Sequence, residues 1–137
     1  MAGYSGKPLP KKLGIKEGQR VALIDAPRDF AETLGELPNG ATVHRKVSAR
    51  LSPQVVIWFV LRSAELERRF TALRRQMAPA TSLWVAWPKK SSGLTTDMSE
   101  NRIREVALPT GLVDNKVCAI DETWSGLRLV VRLEHRR

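Results

Sequence analysis

Residues 54–60 read Gln-Val-Val-Ile-Trp-Phe-Val, and this stretch decides the fold of the 137-residue chain. After Gln54 every side chain is β-branched or aromatic, and these are the residue types that pack best on a pleated sheet. No polar residue alternates with the apolar ones, so both faces of the segment are predicted to be buried. We therefore expect a central strand of a parallel sheet that is covered on both sides.

The segments on either side carry the other signals of an α/β protein. Further strands are predicted at 20–25 and 82–87, with an edge strand at 41–47. Helices are predicted from Pro27 to Gly35, from Ser63 to Met77 and from Asp97 through Ala107. The chain ends in a predicted hairpin with strands at 116–121 and 127–133, whose alternate apolar residues from Leu127 to Leu133 share one face.

Two helices have local features that can be checked against a structure. In the second helix the apolar residues are spaced by four, three and four, which predicts one buried face made of Leu66, Phe70, Leu73 and Met77. On its outer face, Glu65 and Arg69 are four residues apart and are expected to pair. Asp97 followed by Glu100 resembles a capping box that starts the last helix.

The order of the elements, β-α-β-β-α-β-α-β-β, predicts the fold class. Strands that alternate with helices form a mostly parallel sheet with right-handed crossovers, here of about five to six strands with helices on both faces. The C-terminal hairpin adds an antiparallel edge. We expect residues 1–137 to form a single domain, in which 1–19 is an extended N-terminal arm with a short helical turn near Leu9–Leu13, and 20–137 is the core.

Part of this pattern resembles a known fold. Residues 13–23, the strand Val55–Val60 with the helix after it, and residues 77–85 resemble successive segments of class I methyltransferases, and the closing hairpin is also similar. The resemblance implies a small Rossmann-like, methyltransferase-like sheet. It implies fold and not activity, because one fold supports many functions.

Longer strings resemble one particular family. Residues 1–6 (Met-Ala-Gly-Tyr-Ser-Gly), 13–16, 84–93 and 113–128 are similar to the short bacterial proteins of domain-of-unknown-function family three-zero-five-two. The resemblance covers nearly the full length. It implies a bacterial, cytoplasmic protein and carries no agreed activity.

Composition narrows the choice of partners and of compartment. The 23 Lys and Arg residues outnumber the 14 Asp and Glu residues, for a net charge of +9. This charge favours an acidic protein or an anionic small ligand, with nucleic acid as a weaker alternative, although it is spread along the chain as on an ordinary charged surface. The single cysteine excludes an internal disulfide, and neither a signal peptide nor an apolar run of about 18 residues is present, so no membrane partner and a cytoplasmic location are expected.

Candidate ligand-binding residues lie where the predicted parallel strands end, because ligands of open α/β sheets bind beyond the carboxyl ends of the strands. Lysine charge, hydroxyl groups and free amides ahead of a helix suit a phosphate or a carboxylate. The candidates are Asp25, Arg28, Trp87, Lys89, Lys90, Ser91, Ser92, Thr95 and Thr96. Trp58, Trp87 and Trp124 are expected to add a stacking wall. The alternative is a solvated loop followed by a capped helix.

Several chemistries find no support. The loop Asp25-Ala26-Pro27-Arg28-Asp29 has no glycine, and Pro27 lacks an amide, so we expect no cofactor of the S-adenosylmethionine (SAM) or NAD type. His44 and His135 have no ligand companions and are interpreted as surface residues, so no metal site is expected. Cys118 is interpreted as a buried structural thiol, with redox sensing as the weaker alternative. No catalytic residue is predicted, because no nucleophile elbow or triad order is present.

Three functions remain open. The first is a non-enzymatic regulatory or binding module on a degenerate Rossmann-like core. The second is an enzyme or small-ligand binder for a phosphate- or carboxylate-bearing metabolite at the 87–97 loop, using Asp25 and Lys89 to Ser92. The third and weakest is a nucleic-acid-binding or transcription-associated protein, which would use the N-terminal arm and the arginines of the 63–77 helix.

Overall fold

The computed structural model describes residues 7–48 and 50–135, and it confirms the predicted order of strands and helices. The strands are β1 Arg20–Ile24, β2 Thr42–His44, β3 Val55–Phe59, β4 Ser82–Pro88, β5 Leu112–Ala119 and β6 Trp124–Val131. The helices are α1 Leu9–Lys12, α2 Phe30–Leu34, α3 Ser63–Arg75 and α4 Glu100–Ala107. Short 3-10 turns occupy Lys90–Ser92, Leu108–Thr110 and Leu133–His135.

The six strands form one mixed sheet in the order β2-β1-β3-β4-β6-β5. β1 to β4 run parallel, and β6 runs antiparallel to both β4 and β5. All five residues of β3 are buried, as the opening segment predicts. The chain moves outward from β1 to β2 and then returns to the other side of β1 with β3. The topological switch point of the sheet therefore lies between β1 and β3.

Helices cover both faces, and each face has its own apolar core. On one face, α3 and α4 pack on side chains that include Val56, Trp58 and Leu127. The four predicted stripe residues of α3 (Leu66, Phe70, Leu73 and Met77) are all buried here, although the helix itself ends at Arg75. On the other face, α1 and α2 pack on Val55, Ile57 and Phe59. The period-two alternation of β3 thus supplies both cores.

The predicted capping box at Asp97 is wrong. Ser99 has an extended backbone, and its hydroxyl accepts a hydrogen bond from the Arg102 amide at 3.1 Å, so Ser99 caps α4. Asp97 instead accepts a hydrogen bond from the Ser63 amide at 2.7 Å, at the start of α3. A side chain 34 residues away in sequence therefore caps α3. Because the cap comes from a distant loop, local spacing assigns it to the wrong helix.

The closing hairpin is confirmed with different bounds. β5 begins at Leu112, ahead of the predicted start at 116, and β6 begins at Trp124, inside the predicted turn. The turn is tightened by Asp121, whose carboxylate accepts hydrogen bonds from the Thr123 and Trp124 amides at 2.8 Å each. Leu133 lies beyond the strand and is 78% exposed, so the predicted apolar face ends at Val131.

Two other elements are shorter than predicted. The predicted edge strand 41–47 forms a ladder only over Thr42–His44, because β1 is its partner for just three residues. The first crossover helix begins at Phe30 and not at Pro27.

The segment before β1 packs against the sheet. The predicted helical turn is α1, and Leu9, Leu13 and Ile15 are buried. The Trp84 indole Nε1 donates a hydrogen bond to the Leu13 carbonyl at 3.0 Å, and Lys12 Nζ donates one to the Ala119 carbonyl at 2.8 Å. Within the predicted extended arm, the segment from Leu9 to Ile15 therefore packs against the core. Residues 1–6, which carry one of the family strings, and the basic residues Arg136 and Arg137 lie outside the described residues.

Within the part of the chain that the structure describes, no helix has the length and apolar character required to cross a membrane.

Candidate ligand-binding cleft

A cleft of about 490 Å³ lies at the switch point, where β1 and β3 end. Its walls are formed by the residues that follow those strands, by the first turn of α3 and by one aromatic ring of β6. They are Asp25, Pro27, Phe59, Val60, Leu61, Arg62, Glu65 and Trp124. This position is the one at which open α/β sheets bind ligands. Among the predicted site residues, Asp25 is the one that lines this cleft.

Aromatic rings close the bottom of the cleft. Phe59 packs edge-on against Phe30, with ring centroids 4.8 Å apart, and against Trp124 at 5.0 Å. Trp124 is 8% exposed, so the cleft ends on packed rings. Edge-to-face pairs of this kind are stabilising beyond the area they bury. The floor is therefore rigid and apolar.

The predicted wall of three tryptophans is wrong. Trp58 lies on the opposite face of the sheet, with its ring 6.3 Å from Phe70, and Trp87 packs on that same core. Trp124 belongs to the other core. Side chains alternate between the faces of a strand, and the register of the strands therefore separates these rings.

Charged groups at the mouth of the cleft form a small network around Arg69. Arg69 Nη1 donates to the Asp25 carboxylate at 2.6 Å and to Glu65 at 3.2 Å, which confirms the predicted Glu65–Arg69 pair. Burial acts to lower the pKa of Arg69, but the hydrogen bonds to Asp25 and then Glu65 outweigh it, and the pKa is raised. Hydrogen bonds from Arg68 and then Arg69 lower the pKa of Glu65. Glu65 and Arg69 therefore both stay charged at neutral pH.

The contact between Arg69 and Asp25 joins residues 44 positions apart, so helical spacing gives no signal for it. Asp25 has φ of +56°, a left-handed conformation that Asp tolerates better than most residues. This turn at the end of β1 directs the chain to α2, while the carboxylate is held by the guanidinium of α3.

The residues at this edge do not fit SAM or a dinucleotide. Binding of either needs glycines after the first strand and a helix N-terminus facing the phosphates or the carboxylate. Residues 25–29 contain no glycine, Pro27 lines the cleft without an amide, and α2 has only five residues. After β2, where a carboxylate would bind the ribose hydroxyls, the sequence is Arg45-Lys46.

Part of the 87–97 loop is held by its own hydroxyl groups. Ser92 Oγ donates to the Lys89 carbonyl at 2.7 Å and accepts from the Leu94 amide at 3.1 Å. Thr96 Oγ1 donates to the Leu61 carbonyl at 2.6 Å and accepts from the Met98 amide at 3.0 Å. Two of the four predicted ligand hydroxyls therefore hold the loop: Ser92 braces it internally, and Thr96 ties it to the residue that follows β3 by two positions.

Of the other predicted residues of the loop, three face solvent and Lys89 is half-buried. Lys90, Ser91 and Thr95 are exposed, and the side chains of Lys89 and Lys90 form no hydrogen bond or ion pair within residues 7–48 and 50–135. None of the loop residues 89–96 lines the switch-point cleft. Trp87 is half-buried against the α3 core, and Arg28 is exposed. The structure thus does not bring Asp25 and the lysines together in one pocket.

Cys118 lies half-buried on β5. Burial raises the pKa of its thiol, and the opposing charges of Lys12 and Lys116 do not cancel that effect. A raised pKa reduces the thiolate fraction at neutral pH, and the thiolate is the reactive form. These surroundings favour the structural interpretation of Cys118 over redox sensing.

Histidines and acidic groups do not assemble into a metal centre in the described part of the chain. His44 Nε2 is hydrogen-bonded to Thr42 Oγ1 at 2.9 Å, within the same edge strand. The side chain of His135 lies outside the described residues.

The arginines of α3 are largely engaged. Arg68 pairs with Glu65 at 2.6 Å, Arg69 holds Asp25, and Arg74 Nε donates to the Thr110 carbonyl at 3.1 Å. Nucleic-acid affinity depends on cations that are free to neutralise phosphates. Three of the four arginines of α3 thus already have partners, which weighs against one of the two basic features behind the nucleic-acid alternative.

Sheet order and the reversed strand β6 define a Rossmann-like domain of the methyltransferase type. A SAM-dependent methyltransferase from Aquifex aeolicus superposes with a TM-score of 0.63 at 14% identity, over 88% of this chain and 87% of that one. The magnesium protoporphyrin IX methyltransferase of Synechocystis gives 0.53 at 12%, over 90% and 74%. A putative tRNA (m1A22) methyltransferase of Streptococcus pneumoniae gives 0.54 at 8%, over 93% and 71%. At such identities the likeness concerns the fold alone.

The sequence places the chain in one family, which is a narrower assignment than the fold class. Residues 11–133 match the family described as protein of unknown function (DUF3052), and the chain belongs to that family. No curated protein matches the sequence. The family has no established activity, so the function has to be argued from the site.

Proposed function

We propose that this chain is a non-enzymatic binding module on a degenerate methyltransferase-type core. The observation that carries the proposal is the turn after β1, which occupies the position of a cofactor-binding loop. This turn has no glycine and contains Pro27, and its Asp25 carboxylate is held by Arg69. The cleft beyond this turn has an apolar, ring-packed floor, and among the described residues that line it none is a nucleophile paired with a base. Such a cleft favours recognition over catalysis.

The partner in this proposal is anionic. The net charge of +9 supports an acidic protein or a negatively charged small ligand. The proposal also takes 1–137 to be one domain that works in the bacterial cytoplasm, without a cofactor.

The first prediction concerns cofactors. We expect neither SAM, S-adenosylhomocysteine nor NAD to raise the melting temperature of the protein or to give heat on titration, because the β1 turn cannot bring backbone amides to such a ligand. Differential scanning fluorimetry and isothermal titration calorimetry check this, with a SAM-dependent methyltransferase of the same fold as the positive control. Saturable SAM binding accompanied by methyl transfer would refute the proposal.

The alternative is a small-ligand binder or enzyme acting on a phosphate- or carboxylate-bearing metabolite at the 87–97 loop. Its support is that the ammonium groups of Lys89 and Lys90 have no partner within the described residues, next to the exposed hydroxyls of Ser91 and Thr95. Against it, the Ser63 amide at the start of α3 is already capped by Asp97, so one nearby anion donor is occupied.

This alternative makes its own prediction. Replacing both lysines (Lys89→Gln with Lys90→Gln) should abolish the thermal stabilisation given by a phosphorylated or carboxylated metabolite, because the loop supplies no other cation. The matched control is Lys11→Gln with Lys16→Gln, which removes the same charge from exposed positions before β1. A metabolite screen in which no compound shifts the melting temperature of the unmodified protein contradicts the alternative.

A further inference from the structure

A second cavity, of about 260 Å³, lies where β1 and β2 end, on the face of the sheet covered by α3. Its polar lining consists of Arg45 and Lys46, which directly follow β2, together with Arg69 and Gln76 from α3 and its C-terminus. Ile24 and Leu73 contribute apolar wall. Sequence reasoning did not single out these residues as a group.

The charge of this cavity is one-sided. Three of its lining residues are cations, and none is Asp or Glu. Arg45 and Lys46 are exposed, and neither side chain has a hydrogen-bond or ion-pair partner within residues 7–48 and 50–135. Unpaired cations that share a concave wall create a positive potential that attracts anions.

Arg69 separates this cavity from the switch-point cleft. Its two carboxylate partners, Asp25 and Glu65, line the cleft, whereas Arg69 itself lines the cavity. Both carboxylates are bound through Nη1, and Nη2 and Nε form no hydrogen bond within the described part of the chain. The guanidinium also lies 5.7 Å from the centroid of the Trp58 ring. It is therefore held in place while two of its donor atoms remain available.

The position of the cavity in the fold favours phosphate over a sugar hydroxyl. When a fold of this class binds a nucleotide, a carboxylate after the second strand receives the ribose hydroxyls, whereas an arginine there accepts a phosphate. Here that position holds Arg45 and Lys46. The volume lies slightly below the roughly 300–1,000 Å³ of pockets for drug-sized ligands, so the fit is to a small anion.

We propose that this cavity binds the phosphate group of a small phosphomonoester, with Arg45, Lys46 and Arg69 as charged donors and the Gln76 amide as a neutral one. The inference rests on the proposed binding function and names its ligand class. Guanidinium and ammonium donors around one phosphate give charge-assisted hydrogen bonds, which are roughly twice as strong as neutral ones.

The test uses the full-length protein, with glycerol 3-phosphate and inorganic phosphate as probes and glycerol as the uncharged control, at constant ionic strength. Affinity is measured by isothermal titration calorimetry. Replacing Arg45 and Lys46 together by Gln should weaken glycerol 3-phosphate binding by about tenfold or more, because charged hydrogen bonds are lost. The matched control, Lys11→Gln with Lys16→Gln, has the same charge change at exposed positions before β1 and should alter the affinity by less than about twofold.

Each outcome decides the inference. It stands if the Arg45/Lys46 variant alone loses binding while its melting temperature without ligand stays unchanged. It falls if neither probe binds, or if the control variant loses binding equally. It also falls if binding is lost only when Lys89 and Lys90 are replaced by Gln, because that result places the anion at the 87–97 loop. Binding of NADP+ without binding of glycerol 3-phosphate overturns it too, and that result also contradicts the proposed cofactor-free function. The other failures leave the proposed function unaffected.

Discussion

Trp84→Ala should lower the free energy of unfolding by about 3–5 kcal/mol, the range found when a buried aromatic side chain is truncated. Trp84 is 0% exposed in the middle of the sheet and packs in the core beneath α1 and α2. Its indole Nε1 also donates to the Leu13 carbonyl at 3.0 Å, which ties the segment before β1 to the sheet. The substitution therefore removes core volume and this link together.

Trp84→Phe separates the two contributions. It keeps much of the ring but leaves the Leu13 carbonyl without its donor, and an unsatisfied buried acceptor costs about 1–3 kcal/mol. Urea denaturation followed by far-UV circular dichroism gives both free energies. Amide exchange of residues 9–15 should rise in both variants. A loss of less than about 1 kcal/mol in Trp84→Ala would mean that this core does not depend on the indole.

Gly126→Ala should destabilise the protein by about 1–3 kcal/mol through overpacking. A Cβ at this position in β6 would lie 2.9 Å from Ile120 Cδ1, a distance that real Cβ atoms essentially never show. It would lie 3.0 Å from Trp84 Cε3, which is tighter than nine in ten real Cβ contacts. In most strands Ala is better than Gly by about 0.5–1 kcal/mol, because the unfolded chain is less free. A loss of stability in Gly126→Ala would therefore be caused by the steric clash of the added Cβ.

Ile120→Val provides the rescue. It removes the methyl group nearest to the added Cβ and by itself costs about 0.5–1.5 kcal/mol. Since the two changes share one contact, the double variant should lose less stability than the sum of the single variants. Strictly additive losses in urea denaturation would show that the Ile120 side chain is not what Gly126 accommodates.

Local patterns in the sequence determined the layers of this protein. The unbroken apolar run of β3 places a strand at the centre of the sheet, and the spacing of Leu66, Phe70 and Leu73 places α3 with one face inward. Burial of apolar area drives both the placement of β3 and the orientation of α3. The spacing of apolar residues, with a period of 2 in a strand and 3.6 in a helix, can be recognised over a few residues. The glycine-free turn after β1 likewise follows from the sequence alone.

Tertiary structure decided which side chains meet. Asp97 caps α3 from a loop 34 residues away, and Asp25 meets Arg69 across 44 residues. The strand register sends Trp58 and Trp124 to opposite cores, so the expected tryptophan wall does not form.

The cationic cavity has the same origin. Arg45 and Lys46 line the same cavity as Arg69 because β2 pairs with β1 on the side away from β3. No local pattern in the sequence indicates that pairing. Period and propensity act between near neighbours in sequence, whereas ion pairs, caps and pockets depend on how distant segments pack. The sequence alone therefore determined the sheet and its helices, and only the packed structure determined where an anion has cations to bind.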